Sequence, residues 1–398
     1  MSDLVSEAVA RSTGLLHDAA TQWGFVASPA FDHYAVIWAR DALISSLGAL
    51  RSDDPDLIEC VAATLDTLTN HASPHGQIPA LVDPSRESWD FAEGGVVDTS
   101  AWLPIVAAEY LAFTGDIRRS MRWWPAIEAS IRWLSYQDVT GSGLVSAAPS
   151  TDWMDAALTR SGRTLHLNVL YAWAIRSAEA VARSLGEAFA PPVADVADLV
   201  DTWFWPTPDR HVDELYPAGF AHTALATEYR RLAAEHRSHY ASHIVHAAFV
   251  DRLDVLANCL AILGGVAGEE RSRSILTALE PASSPWPSRT FPEPISPADS
   301  SGMLIGAVDT VIDPRWSNRP GRYHNGAAWP YVGGFHAAAV ALALGPAAAA
   351  PLLERLAAAN ELGEWRFSEW VGDDGPDGAA RQTWNAGTFL YAWSKLGP

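Results

Sequence analysis

The chain has little cysteine, little positive charge and no long apolar run. Its two cysteines among 398 residues, Cys60 and Cys259, both lie in apolar helical patterns, which excludes a disulfide framework and reads as buried thiols. With 27 basic against 47 acidic residues the formal charge is -20. Nucleic acid and anionic membrane surfaces are therefore not expected partners, because binding phosphate needs a basic patch. No window holds eighteen consecutive apolar residues, and MSDLVSEAVARSTGLL carries acids where a signal peptide would carry lysines, so a soluble, cytoplasmic protein is expected. A metal-ligand set is missing too. The thirteen histidines are scattered, and His243 and His246, at i, i+3 on an expected helix face, have no carboxylate or cysteine in register. Neither a metal nor an organic cofactor is implied.

What the chain does have is helical periodicity. Segments such as DPDLIECVAATLDTLTNHA, DTSAWLPIVAAEYLAF, LNVLYAWAIRSAEAVARSLG, DVLANCLAILGGVA and TFLYAWSKL place apolar residues at i, i+3, i+4, and several open on Asp, Ser or Asn and close near Gly. About a dozen such segments, with alternating strand patterns nearly absent, predict an all-α fold occupying residues 1–398 as a single domain. Paired helices can build an α-solenoid or a closed barrel of helical hairpins. No repeat of fixed period is visible, which favours the barrel. The connections at 21–37, 72–96, 140–165, 204–235, 281–324 and 360–382 are long and carry much of the Trp, Gly, Pro and Asp, as functional loops do. The proline-rich 281–324 is expected to run over one end of the barrel.

Five loop-borne clusters draw attention. VIWARDALISS sets Trp38, Arg40 and Asp41 at a helix mouth. HGQIPALVDP, with Gln77, precedes WDFAEGGVVDTSAWLP, where Asp98 starts a helix. TDWMDAALTRSGRTLHLN carries Asp152, Trp153, Asp155 and His166. RYHNGAAWP carries His324, Asn325 and Trp329, and EWRFSEWVGDDGPDGAARQTWNAGTFLYAW carries Glu364, Glu369 and Trp384. Helix capping accounts for Asp41 or Asp98 singly. Together, carboxylates, amides, an arginine and many aromatic planes are what a sugar asks for, the rings stacking on its C–H face and the polar groups fixing its hydroxyls. Hydrolysis of a glycosidic bond further needs two carboxyl groups flanking it, one protonated and one ionised.

The succession WARDA, VVDTSAWLPIVAAEYLAFTGD, DWMDAALTRSGRTLHLN, DVLANCLAILGGVA, HNGAAWP and SEW with ARQTWNAGTFL, over roughly residues 35–395, resembles the (α/α)6-barrel glycoside hydrolases. It is most similar to the neutral/alkaline invertases, and next to the amylo-α-1,6-glucosidase domain of glycogen debranching enzymes. That resemblance implies an (α/α)6 toroid and an inverting hydrolase acting on a small α-glucoside of sucrose, isomalto-oligosaccharide or glucosyl-polyol type. It implies Asp155 as general acid, Glu369 as general base and Asp41 as a ligand of the sugar in the cleaved subsite. His166 stands where those enzymes usually have glutamate. Arg40 would orient the acids or a hydroxyl, Asp152 would cap or bind substrate, and Gln77, Asp98, His324, Asn325, Trp329 and Trp384, with Trp38 and Trp153, would line the site. On the residues alone, Glu364 and Glu369 stay equal candidates for the base. Relatives often form dimers or larger assemblies, so a homo-oligomer is allowed. Two other readings stand beside the hydrolase: a sugar epimerase or isomerase on the same barrel that moves protons with His243, His246 and His324, and a non-catalytic carbohydrate-binding barrel.

Overall fold

The computed structural model describes residues 2–92, 96–149, 151–155, 158–210, 223–245, 248–295, 304–305 and 319–397. Their helices are α1 (Asp3–Ala19), α2 (Ala39–Ala49), α3 (Pro55–Asn70), α4 (Val96–Thr114), α5 (Ile117–Ser135), α6 (Leu165–Leu185), α7 (Val196–Phe204), α8 (Thr223–Ala233), α9 (Val255–Leu263), α10 (Glu269–Leu279), α11 (Pro330–Leu344), α12 (Pro346–Trp365) and α13 (Thr383–Ser394). Local signals set their ends. Asp54 accepts from the Asp56 and Leu57 amides with Pro55 at the first position of α3, Thr164 caps α6 through the Leu167 amide, and α6 stops at Gly186 in the left-handed conformation.

Contacts between helices close a ring. α2 packs on α4, α4 on α6, α6 on α9, α9 on α11, α11 on α13, and α13 back on α2. The remaining major helices, α1, α3, α5, α7, α10 and α12, pack outside these, so the chain alternates outer and inner through six hairpins. This is an all-α (α/α)6 toroid, and the sequence accounts for the division. Every residue of α2 is buried, Arg40 and Asp41 included, as is nearly all of α9 and α11, which are apolar on almost all sides. α3 and α5 bury one face each.

Alternation makes the inner helices parallel, with their N-termini at one end of the ring. All six long connections precede an inner helix and so gather at that end; we call it the mouth. The links that follow inner helices, such as 50–54, 115–116 and the single Gly345, lie at the other end. Short antiparallel strands brace the mouth: Ile37–Trp38 with Leu81–Asp83 and Ser88–Asp90, Arg163–Thr164 with His243–Val245 and Ala248–Val250, and Trp370–Gly372 with Gly375–Asp377. Two details differ from expectation. α8 lies within the connection 204–235, where no helix was expected. His243 is on a strand, and His246 lies outside the described residues. Of the 281–324 excursion, residues 296–303 and 306–318 lie outside the described residues. Leu304–Ile305 pairs with Leu158–Thr159, just beyond the segment that carries Asp155.

The ring is closed where α2 meets α13, and glycine permits the approach. A Cβ on Gly48 would stand 1.9 Å from the Gly387 carbonyl oxygen, and one on Gly387 2.4 Å from the Ser45 Cα. Backbone on both sides leaves nothing flexible to move. Gly387→Ala is therefore expected to cost about 2 kcal/mol or more by overpacking, read as a lowered urea midpoint with an unchanged slope.

Candidate active site

Arg40, in the first turn of α2, is the charge around which the mouth is arranged. Its Nε and Nη2 donate to both oxygens of Asp98, in the first turn of α4, at 2.7 and 3.0 Å. His166, in the first turn of α6, sits with Nε2 3.2 Å from Asp98 Oδ2. Nη1 of Arg40 reaches 3.4 Å to Oδ2 of Asp155. Three neighbouring helix N-termini are thus joined through Asp98 and the Arg40 guanidinium, which then extends to the loop carboxylate. Burial would raise the Asp98 carboxyl, but Arg40 and His166 outweigh it and hold it below the usual range. Because both of its oxygens are occupied, Asp98 orients Arg40 and is not itself open to a hydroxyl.

Asp155 is half-buried and faces His324 on its other side, with Nε2 3.8 Å from Oδ1, too long for a hydrogen bond. Burial lowers the His324 pKa, more than the neighbouring Asp155 raises it, so the imidazole is neutral at pH 7. Its ring lies parallel to Trp329 at 4.9 Å. Trp153 meets His324, Trp329 and Tyr331 edge-on, and Tyr331 stacks on Trp384 at 4.1 Å. Trp153, Trp329 and Trp384 are buried, so these expected lining residues form a packed wall behind the carboxylates.

Glu369 comes from the loop before α13. In the ring α2–α4–α6–α9–α11–α13, α13 stands three places from α6, so Glu369 and Asp155 enter from opposite sides of the mouth. Glu369 is buried and lines a cavity of about 360 Å³ with His33, Tyr34, Tyr323, Trp370 and Gly378. Its Oε2 accepts from the Ala379 amide at 3.1 Å. Burial pushes its pKa up to about 7, with Asp41 and Asp155 adding to the rise against the Ala379 amide and the Tyr34 hydroxyl. Glu364 is solvent-exposed on a left-handed turn, where α12 loses helical geometry. Geometry therefore separates the two glutamates that the sequence left equal. Asp41 is buried beside Arg40, and burial lifts it to about 7 as well.

The other expected residues have structural partners. The Asn325 side-chain amide is held by the Ile295 backbone, accepting at 2.6 Å and donating at 2.9 Å, so it pins the 281–324 connection. Gln77 donates to the Phe91 carbonyl, and the Trp38 indole to the His33 carbonyl. Asp152 is buried and paired with Arg160, which also reaches Asp254. His243 is fully buried, and burial with Arg160 nearby takes its pKa down to about 3. Sequence reasoning missed Tyr34, Tyr323 and Arg160. Tyr34 gave no signal within FDHYAVIWAR, and Asp254 read only as the cap of α9. Among the described residues no group of histidine, cysteine and acids could hold a metal, and no helix is long and apolar enough to cross a membrane.

No protein-family model and no curated protein sequence matches the chain. Solved structures do match in fold. A GH63 mannosylglycerate hydrolase from Thermus thermophilus, in complex with glucose, superposes with a TM-score of 0.65 at 16% identity over 97% of this chain and 99% of that one. The same enzyme with Tris and D-glycerate gives 0.65 at 16% over 97% and 100%. A glycosidase variant gives 0.62 at 14% over 99% and 97%. These likenesses extend through the whole toroid, whose (α/α)6 architecture is that of the GH63 glycoside hydrolases.

Raised carboxyl pKa values have a consequence for stability. Asp41 and Glu369 hold protons more tightly in the folded chain than unfolded, so their contribution is full below about pH 4 and is lost as pH rises through about 7. Glu369→Gln is expected to match the parent in unfolding free energy at pH 4 and to exceed it at pH 8, by on the order of 1–3 kcal/mol. Scanning calorimetry at the two pH values checks this, and a gain at both would contradict the burial account.

Proposed function

We propose that the protein is an inverting glycoside hydrolase acting on a small α-glucoside, with Asp155 as general acid and Glu369 as general base. The observation that carries this reading is the pair itself: two carboxyl groups from opposite sides of one barrel mouth, with a cavity at the second of them. A water between Glu369 and the anomeric carbon would attack it, passing its proton to Glu369. The C–O bond to the aglycone breaks, and the proton of Asp155 goes to the departing oxygen. Separations of about 6.5–9.5 Å leave room for such a water and give inversion. A base near 7 is a strong one at neutral pH, and burial gives Glu369 that value. Asp41 and Arg40 would hold hydroxyls of the cleaved sugar.

The nearby structures support a small substrate. Glucose and D-glycerate, bound by the Thermus hydrolase, are a monosaccharide and a short hydroxy acid, which fits the glucosyl-polyol member of the class best. A cavity of about 360 Å³ is in the range of small-ligand sites. Sucrose and isomalto-oligosaccharides belong to the same test. A histidine-driven isomerase has less support, since His243 is buried in a strand away from the cavity lining.

The test is turnover on sucrose, isomaltose, nigerose, maltose, trehalose and glucosylglycerate, followed by variants on whichever is cleaved. Asp155→Asn and Glu369→Gln are each expected to lose about 10²–10⁴-fold in kcat while keeping the parent circular dichroism. In the parent, kcat is expected to rise with pH through an apparent pKa near 7 as the coupled Glu369 and Asp41 carboxyls ionise. Full activity in either variant would rule out this pair.

A further inference from the structure

Three residues before Asp155 lies a buried charge cluster that the hydrolytic step does not use. Arg160, with no exposed side-chain surface, donates from Nε to Asp152 Oδ2 at 2.7 Å and from Nη1 to Asp254 Oδ2. The remaining oxygens are also engaged. Asp152 Oδ1 accepts from the Met154 amide at 3.0 Å, shaping the turn that presents Asp155, and Asp254 Oδ1 accepts from the Ala257 amide as the N-cap of α9. Nη2 of Arg160 is buried without a hydrogen-bond partner. A fully buried ionic triad contributes little stability over an apolar replacement, and an orphaned guanidinium donor adds cost. Stability alone does not explain it.

We propose that Arg160 is the positioning residue of the general acid: through Asp152 it fastens the loop bearing Asp155 to the N-cap of an inner helix. The inference rests on Asp155 being the acid, as proposed above. Asp155 is then held from two directions: its carboxylate by Arg40, which is tied to Asp98 on α4, and the turn that precedes it by Arg160, which grips Asp152 and answers to Asp254 at the N-cap of α9. Only a planar fork spans two carboxylates in this way; lysine keeps the charge but not the bridge.

Two substrates separate the possibilities: an α-glucoside that the protein cleaves, whose departing oxygen needs a proton, and α-glucosyl fluoride, whose leaving group does not. Arg160→Lys and Asp254→Asn are the variants, the second retaining a good cap so that α9 still forms. Both are expected to lose about 10–100-fold in kcat on the glucoside, with KM within a few-fold, and to lose only a few-fold on the fluoride. Asp155→Asn should show the same split more strongly. Equal losses on both substrates in the Arg160 and Asp254 variants, beside a split in Asp155→Asn, would overturn the positioning role alone. An absent split in Asp155→Asn would overturn the assignment of the acid, and the positioning role with it.

Discussion

Strict outer–inner alternation is the constraint on which the rest of this molecule depends. Six inner helices form a ring covered by six outer ones, each hairpin adding one of each kind, and that makes the inner helices parallel. Once they are parallel, their N-termini share one end, and so do the long connections that enter them. Arg40, Asp41, Asp98, His166, Trp329 and Trp384 reach the same place for that reason, although they are spread along nearly the whole chain. Helix N-termini also favour negative charge, so the mouth of a toroid is a suitable place to gather carboxylates.

Gathering them has a cost, and the chain meets it unevenly. Asp98 is fully matched by Arg40 and stays low in pKa, whereas Asp41 and Glu369, buried with less compensation, rise to about 7. The same burial that weakens the fold at alkaline pH gives Glu369 a pKa suited to taking a proton at neutrality. Glycine makes room for it: a Cβ on Gly378 would stand 2.5 Å from Glu369 Oε2. The tryptophans contribute differently from what their number suggests. Trp153, Trp329 and Trp384 are packed against one another and against His324 and Tyr331, supporting the wall of the site.

The helices were legible because inner ones such as α9 and α11 are almost continuously apolar and outer ones such as α3 and α5 keep apolar residues at helical spacing over several turns. α8 was not: its buried Leu225, Ala226, Tyr229, Leu232 and Ala233 keep helical spacing, but TALATEYRRLA is short and sits among Pro, His and charged residues. Strands of two or three residues are too short to alternate visibly. Within the site, the carboxylates could be picked out because acids beside tryptophan on long loops are unusual. Their partners could not. Arg160 finds Asp254 across 94 residues and Asn325 finds Ile295 across 30, pairings that exist only once the ring has closed. Burial, likewise a property of the folded chain, is what separates Glu369 from Glu364.

The most direct test of the two-carboxylate account is the stereochemistry of the first product. Proton NMR recorded from the first minute of turnover on an α-linked glucoside distinguishes the anomers before they equilibrate. The account predicts β-glucose first, from a water delivered by Glu369 to the face opposite Asp155. Initial α-glucose would mean that one carboxylate bonds to the sugar, and would contradict it.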